Sequence, residues 1–374
     1  MPNSAELTPH QDPSSRDAAA AGRAAAFVRP EIRALAPYHV ADAAGMIKLD
    51  AMENPYALPD AVRSRMASVV ADVAVNRYPD GGARRAAEAL RSTFAIDPEL
   101  GLILGNGSDE LIQIITCTLA APGAVMLAPE PTFVMYRSNA LYAHMRFVGV
   151  DLLPDWNLDM PAMRRAIARE QPALVFLAYP NNPTGNLFHA EEVEEIIDLT
   201  PGLVVIDEAY AAFASASFLG RAGDYPNVVV LRTVSKIGMA GLRLGYAVGP
   251  HAWIGEFDKV RAPYNLNVLT QAVVPLLLAE PDLLAGQAAA IRAERARLAA
   301  AISGMPGLVT AETQANFLVV RVPDAPHWFE ALARAGILVK NLHGMHPLLA
   351  HCLRVTVGTP AENAAVVNAL EALA

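Results

Sequence analysis

Between residues 124 and 248, short apolar runs rich in β-branched residues recur: Ala124–Ala128, Arg146–Val150, Ala173–Ala178, Leu203–Ile206, Val228–Leu231 and Gly245–Val248. Segments with helical character precede or separate them: Ser108–Ala120, Thr132–Ala143, Asp159–Glu170 and Ala190–Leu199. Several of the runs are apolar at every position, as strands are when helices cover both faces of their sheet. Strands alternating with helices predict an α/β fold with a mixed, mostly parallel sheet flanked by helices. This large domain is placed at residues 52–265. After Pro263 the pattern changes. Glu280–Ser303 reads as one long helix. Phe317–Val322 and Leu353–Val357 then read as strands, flanked by helices at His327–Ala335 and Ala361–Leu373. A smaller α+β domain is expected at 270–374, with residues 28–51 packing against it and residues 1–27 as an Ala/Pro/Ser-rich flexible tail.

Composition narrows the function. The chain has 374 residues, 53% of them hydrophobic, which is enough for a large core. Its 29 basic and 38 acidic residues give a net charge of −9, which argues against a nucleic-acid partner. No run reaches the roughly 20 apolar residues of a membrane span, and no signal-peptide core is evident, so a cytoplasmic protein is expected. The two cysteines, Cys117 and Cys352, are too few for a disulfide framework. Cys117 lies in the apolar run Leu111–Leu119 and is expected in the core. Neither CxxC nor HExxH occurs, so no metal site is expected. Of the 29 basic residues only Lys48, Lys236, Lys259 and Lys340 are lysines, so chemistry that needs a lysine amine has four candidate positions.

Four motifs carry chemistry, and each has a plain alternative when taken alone. Gly105-Asn-Gly-Ser-Asp-Glu110 opens a helix, where free backbone N–H groups and the dipole favour phosphate. It also reads as an ordinary N-cap. Tyr179-Pro-Asn-Asn-Pro-Thr-Gly185 follows a strand, at the sheet edge where α/β folds place ligands, or it is simply a turn. Val204-Val-Ile-Asp-Glu-Ala-Tyr210 ends a buried strand in an aspartate, which needs a positive partner, although acidic residues at strand ends also bind Mg²⁺ or cap the next helix. Thr233-Val-Ser-Lys236, followed by Gly238 and Gly241-Leu-Arg-Leu-Gly245, places a lysine where burial lowers its pKa and makes it nucleophilic, or it is a surface lysine in a loop. Asn182 and Asp207 are 25 residues apart, and Asp207 and Lys236 are 29 apart.

In this order and spacing the motifs resemble the class I/II aminotransferases of fold type I, over residues 28–374. The resemblance implies pyridoxal 5′-phosphate as cofactor. It implies Lys236 as the Schiff-base lysine and proton carrier, and Asp207 as partner of the pyridinium nitrogen. Tyr210 and Asn182 become donors to the phenolic oxygen. Phe133 becomes the aromatic residue stacked on the ring. Ser108, Asp109 and Glu110 lie where the helix N-terminus holds the phosphate through backbone N–H groups, with Ser235 and Arg243 as further ligands. Tyr78 resembles a tyrosine that reaches the cofactor phosphate of a neighbouring subunit, which implies a homodimer with a shared active site.

Leu35-Ala-Pro-Tyr38, Asp50-Ala-Met-Glu-Asn-Pro55, Val260-Arg-Ala-Pro-Tyr-Asn-Leu-Asn267 and Leu353-Arg-Val-Thr-Val-Gly-Thr359 are similar to the histidinol-phosphate aminotransferase subfamily. That likeness implies ping-pong transamination between L-histidinol phosphate and 2-oxoglutarate, in histidine biosynthesis. Arg354 is then the anchor for both substrate anions, Tyr38 a donor to the substrate phosphate, and Asn54 a further substrate contact. Lys340 stands where many members carry a second arginine, and His343 and His346 are additional donor candidates. Three other readings stay open: an aromatic or broad-specificity aminotransferase, a decarboxylase of an amino-acid phosphate using the same cofactor, and a regulator built on an inactive domain.

Overall fold

The structure is a computed structural model that describes residues 13–37 and 40–374. The chain divides into two compact units, Met1–Asp42 and Ala43–Ala374. Within the described part of the first unit, α1 (Pro13–Phe27) and α2 (Pro30–Arg33) are helical. The expected tail therefore carries a helix, for which its alanine content is the physical reason. Arg33 donates to the Ala25 carbonyl at 3.2 Å within this unit.

The second unit begins with β1 (Ile47–Lys48), α3 (Asp60–Ala71) and α4 (Arg84–Phe94). The alternating region follows: β2 (Gly101–Asn106), α5 (Ser108–Leu119), β3 (Val125–Glu130), α6 (Met135–Tyr142), β4 (Arg146–Asp151), α7 (Met160–Glu170), β5 (Leu174–Ala178), α8 (Ala190–Leu199), β6 (Leu203–Asp207), β7 (Val228–Thr233), β8 (Leu244–Gly249) and α9 (His251–Val260). Among the described residues, seven of these strands form one sheet in the order β2-β8-β7-β6-β5-β3-β4. β7, β6, β5, β3 and β4 are parallel, and β8 runs antiparallel to both its neighbours, so the sheet is mixed and mostly parallel as expected.

Both faces of the sheet are covered. Leu174, Phe176 and Ala178 of β5 belong to one buried cluster with Ile112 and Ile115 of α5. Val175 and Leu177 belong to the other, with Ile167 of α7 and Ile196 of α8. This is why β5 is apolar throughout and β6 is apolar up to its last residue, Asp207. Each fully buried Val, Leu or Phe contributes about 1.5–3 kcal/mol relative to exposure. Cys117 departs from expectation. It is exposed, four residues after the exposed Gln113, on the outward stripe of α5.

Beyond the sheet come α10 (Val268–Leu278), α11 (Pro281–Ser303), β9 (Val309–Thr310), β10 (Phe317–Arg321), α12 (Ala325–Arg334), β11 (Ile337–Leu338), β12 (Lys340–Asn341), β13 (Cys352–Thr356) and α13 (Pro360–Glu371). α10 packs against α3 and α4, whereas α11 packs against α13, β9 and β10. Between α10 and α11 the chain bends by 82°. The small sheet has the order β12-β13-β10-β9, and β1 pairs in parallel with β11. Leu49 ties the segment after β1 to both, donating to the Leu338 carbonyl at 2.8 Å and accepting from Thr356 N–H at 2.9 Å. Among the described residues no single helix is long and apolar enough to cross a membrane.

Candidate active site

The C-terminal ends of β2, β3, β5, β6 and β7 lie at one edge of the sheet, as parallel strands require. The loops that leave them enclose a cleft with roughly 590 Å³ of open space. One end of it is the turn from β2 into α5. Gly107 has φ +84°, and a Cβ there would lie 2.7 Å from Arg243 Nη2. A Cβ on Gly245 of β8 would lie 2.4 Å from the Ser108 backbone nitrogen. The two glycines thus let the start of α5 sit against β8 with no side chain between them. Ser108, Asp109, Ser235 and Arg243 line this end. The first N–H groups of α5 lack helical acceptors, and together with Arg243 they form a cradle for an anion. Arg243 Nη2 lies 3.3 Å from Asp109 Oδ2, and the Thr233 and Ser235 hydroxyls are 2.9 Å apart.

Asp207 closes β6 at the floor of the cleft and is 5% exposed. Tyr136 donates to its Oδ2 at 2.7 Å, and the Ala209 N–H donates to Oδ1 at 3.1 Å. Burial pushes the Asp207 carboxyl up to about 6, against the lowering effect of those two bonds. Tyr136 is wholly buried and stacks on Phe176 at 4.4 Å between ring centroids. Its phenol is raised well above the ordinary value by burial and by Asp207. Sequence reasoning missed this tyrosine, although it follows Phe133 by three residues and so shares its side of the chain; the rings of the two meet edge to face at 5.6 Å. The turn after Asp207 is fixed by Glu208, which accepts from the Phe218 N–H, from the Ser217 hydroxyl at 2.9 Å and from Arg232 at 2.7 Å.

Lys236 follows β7 in a short 3₁₀ turn. Burial and the nearby Arg354 guanidinium lower its amine to about 8. Lys236 Nζ donates to the Ala51 carbonyl at 3.2 Å and lies 5.7 Å from the centre of the Tyr210 ring. Burial, opposed by Arg354, holds the Tyr210 phenol above its usual range. Arg354 lies mid-strand in β13 and is 8% exposed. Its Nη1 donates to Asn182 Oδ1 at 2.6 Å and its Nη2 to the Asp50 carbonyl at 3.0 Å. Asn181, by contrast, ties its own loop together through Thr132, Thr184 and the Pro131 carbonyl.

Of the residues expected at the site, Ser108, Asp109, Phe133, Asn182, Asp207, Tyr210, Ser235, Lys236 and Arg243 line this one cleft, and Arg354 bonds to Asn182. Lys340 lies directly opposite Arg354 in the β12–β13 register. The Glu110 side chain does not join the cradle. Its carboxylate accepts from the Asn106 N–H at 2.6 Å and from Asn265 Nδ2 at 2.7 Å, which makes it a brace for the turn. Asn54 Nδ2 donates to Gln287 of α11 at 2.9 Å. His346 lies 3.3 Å from Asp151, His343 accepts from the His351 N–H, and neither lines the cleft. Tyr78 is 82% exposed and stacks on Tyr264 at 4.7 Å. Tyr38 lies outside the described residues. The arrangement is an anion cradle, a buried carboxylate and a buried amine of lowered pKa, a donor set suited to a phosphorylated heteroaromatic aldehyde.

A model of the family "Aminotransferase class I and II" matches residues 44–370. The chain belongs to that family. Among its relatives in this class, a histidinol-phosphate aminotransferase of Chromobacterium violaceum is 54% identical over 92% of this chain and 97% of its own length. One of Burkholderia lata is 50% identical over 92% and 97%. In structure, the histidinol-phosphate aminotransferase of Sinorhizobium meliloti, solved in complex with pyridoxal-5′-phosphate, matches with a TM-score of 0.82 and 26% identity over 93% of this chain and 98% of that one. The enzyme of Clostridium acetobutylicum matches with a TM-score of 0.80 at 21% identity, a likeness of fold.

Proposed function

We propose that this aminotransferase binds pyridoxal 5′-phosphate and interconverts L-histidinol phosphate plus 2-oxoglutarate with imidazole acetol phosphate plus L-glutamate, a step of histidine biosynthesis. The observation that carries the reading is the placement of the Lys236 amine and the Arg354 guanidinium on the adjacent carbonyls of residues 51 and 50, in a chain about half identical to histidinol-phosphate aminotransferases along their length.

Ser108, Asp109, Ser235 and Arg243 would hold the phosphate, Phe133 the ring face, Asp207 the ring nitrogen, and Asn182 and Tyr210 the phenolic oxygen. When bound, the cofactor supplies an aldehyde that condenses with amines and a pyridinium ring that draws electron density from the substrate's α-carbon. This chain's residues do the rest. Tyr136 and the Ala209 N–H favour the charged form of Asp207, which keeps the ring nitrogen protonated. Lys236 Nζ carries the proton removed from the α-carbon, a task for which an amine of pKa about 8 is matched to neutral pH. Arg354 pairs with the substrate anion, which is a phosphate in one half-reaction and a carboxylate in the other. Lys340, opposite it, adds a second positive charge without the bidentate fork.

The same reading makes the enzyme a homodimer in which Tyr78 serves the neighbouring subunit. The exposed Tyr78–Tyr264 pair supports it, with Val75 and Val260 also exposed nearby in sequence. The test is the visible spectrum of the cofactor-loaded enzyme on adding L-histidinol phosphate, L-phenylalanine or L-glutamate. Fast bleaching with histidinol phosphate and slow bleaching with phenylalanine is expected. The reverse order would assign the enzyme to aromatic amino acids.

A further inference from the structure

We infer that Met52 is a specificity-determining wall of the substrate site, held in a strained backbone conformation so that its thioether packs on the substrate side chain. The inference rests on the function proposed above.

Met52 has φ +53°, in the left-handed region that L side chains rarely adopt. It is nevertheless buried, and it lines the cleft together with Asp207 and Lys236. Both of its backbone polar groups are clamped by the small domain. Its N–H donates to Thr356 Oγ1 at 3.0 Å, and its carbonyl accepts from Asn316 Nδ2 at 3.0 Å. The two residues before it hold the groups that handle substrate. Lys236 Nζ donates to the Ala51 carbonyl, and Arg354 Nη2 donates to the Asp50 carbonyl. A substrate whose α-carbon sits at Lys236 and whose anion reaches Arg354 therefore runs alongside this strap and past Met52.

A glycine would satisfy the backbone at this position without strain. The clamp instead keeps a long side chain in a conformation that opposes it, which points to a use for the side chain. A transaminase must admit two unlike partners to one site, here an imidazole-bearing amino-alcohol phosphate and glutamate. Methionine has three rotatable bonds and a polarisable sulfur, so it repacks against either. The imidazole ring offers the larger face for that contact.

The test compares Met52→Gly and Met52→Leu with the unaltered holoenzyme. For Met52→Gly the KM for L-histidinol phosphate is expected to rise roughly tenfold or more. The KM for glutamate should rise by a smaller factor, about threefold. The melting temperature of the Gly apoenzyme should fall, because relief of the left-handed strain offsets only part of the lost burial of a core side chain. Met52→Leu, which keeps most of the volume, should restore the KM for histidinol phosphate to within about threefold. Equal losses for both substrates would make Met52 a structural clamp and overturn the inference. So would a Gly variant with an unchanged ratio between the substrates. If the unaltered enzyme does not react with L-histidinol phosphate at all, the function reading fails first and takes this inference with it.

Discussion

Asp207 sits where burial and hydrogen bonding oppose each other, and the balance makes its chemistry measurable. In the apoprotein its carboxyl titrates near 6, above the unfolded value of 3.8. The folded state then holds the proton more tightly, so this group's contribution to stability is complete below about pH 4 and is lost as pH rises through 6. Asp207→Asn removes the titration. The variant apoprotein is expected to gain on the unaltered one by on the order of 3 kcal/mol between pH 4 and pH 7, read from urea unfolding at the two pH values. Tyr136→Phe deletes a donor to the carboxylate and leaves the burial. It should move the end of that window to higher pH and lower the kcat of the loaded enzyme about tenfold. An unmoved window would show that Tyr136 does not hold the Asp207 charge. Lys236 gives the opposite sign. Its folded pKa is about 8 against an ordinary lysine value of 10.5, so its penalty is largest below 8 and fades as pH rises toward 10.5. Only the neutral amine attacks the cofactor aldehyde. The rate of covalent cofactor uptake by the apoenzyme should therefore rise with pH about a midpoint near 8, followed by stopped-flow absorbance.

Among the elements, the contact between β8 and the start of α5 decides whether the phosphate cradle exists. Gly245→Ala would bring a methyl group to 2.4 Å from the Ser108 nitrogen, which is backbone and cannot swing aside. The start of α5 must shift, so affinity for pyridoxal phosphate should fall at least about tenfold in a fluorescence titration, with the fold retained. Gly241→Ala, with nothing within 4 Å of its added Cβ, is the control. The sequence made this region legible because the four motifs lie at strand ends and their loops are short. α8 was legible to the residue, because Glu191, Glu192, Glu194 and Glu195 stand against the buried Val193, Ile196 and Ile197. β2 was not, because Gly101 and Gly105 break up its apolar run and weaken the strand signal. α10 was not legible as a helix, because Pro275 lies inside it. β1, β11 and β12 are two residues each, too short to show a period. Asn181 and Asn182 are alike by residue type, and only the family resemblance singles out Asn182; in the fold Asn181 bonds to Pro131, Thr132 and Thr184, and Asn182 accepts from Arg354. The bracing role of the Glu110 side chain was not legible, since its partner Asn265 is 155 residues away.

At the scale of the whole molecule, the acidic chain concentrates Lys236, Arg243 and Arg354 at one cleft, where they favour anionic substrates against the net charge. The remaining question is whether that cleft belongs to one chain. Tyr78 is a large, mostly exposed aromatic residue stacked on Tyr264, and Tyr264 itself has φ +59°. Two such residues held together at a surface suit an interface better than solvent. If Tyr78 reaches the partner's phosphate cradle, a dimer of one Lys236→Ala chain and one Tyr78→Phe chain contains one site with both groups intact. That site takes its lysine from the second chain and its tyrosine from the first. Assayed at a cofactor concentration too low to load the Tyr78→Phe homodimer, each variant alone is nearly inactive. Unfolding and refolding an equal mixture should pair chains at random, so half the dimers are mixed and each has one native site. Activity should then rise to about a quarter of the unaltered enzyme's. If Tyr78 instead serves its own chain, no pairing brings the two groups together, and the mixture stays at the average of its parents.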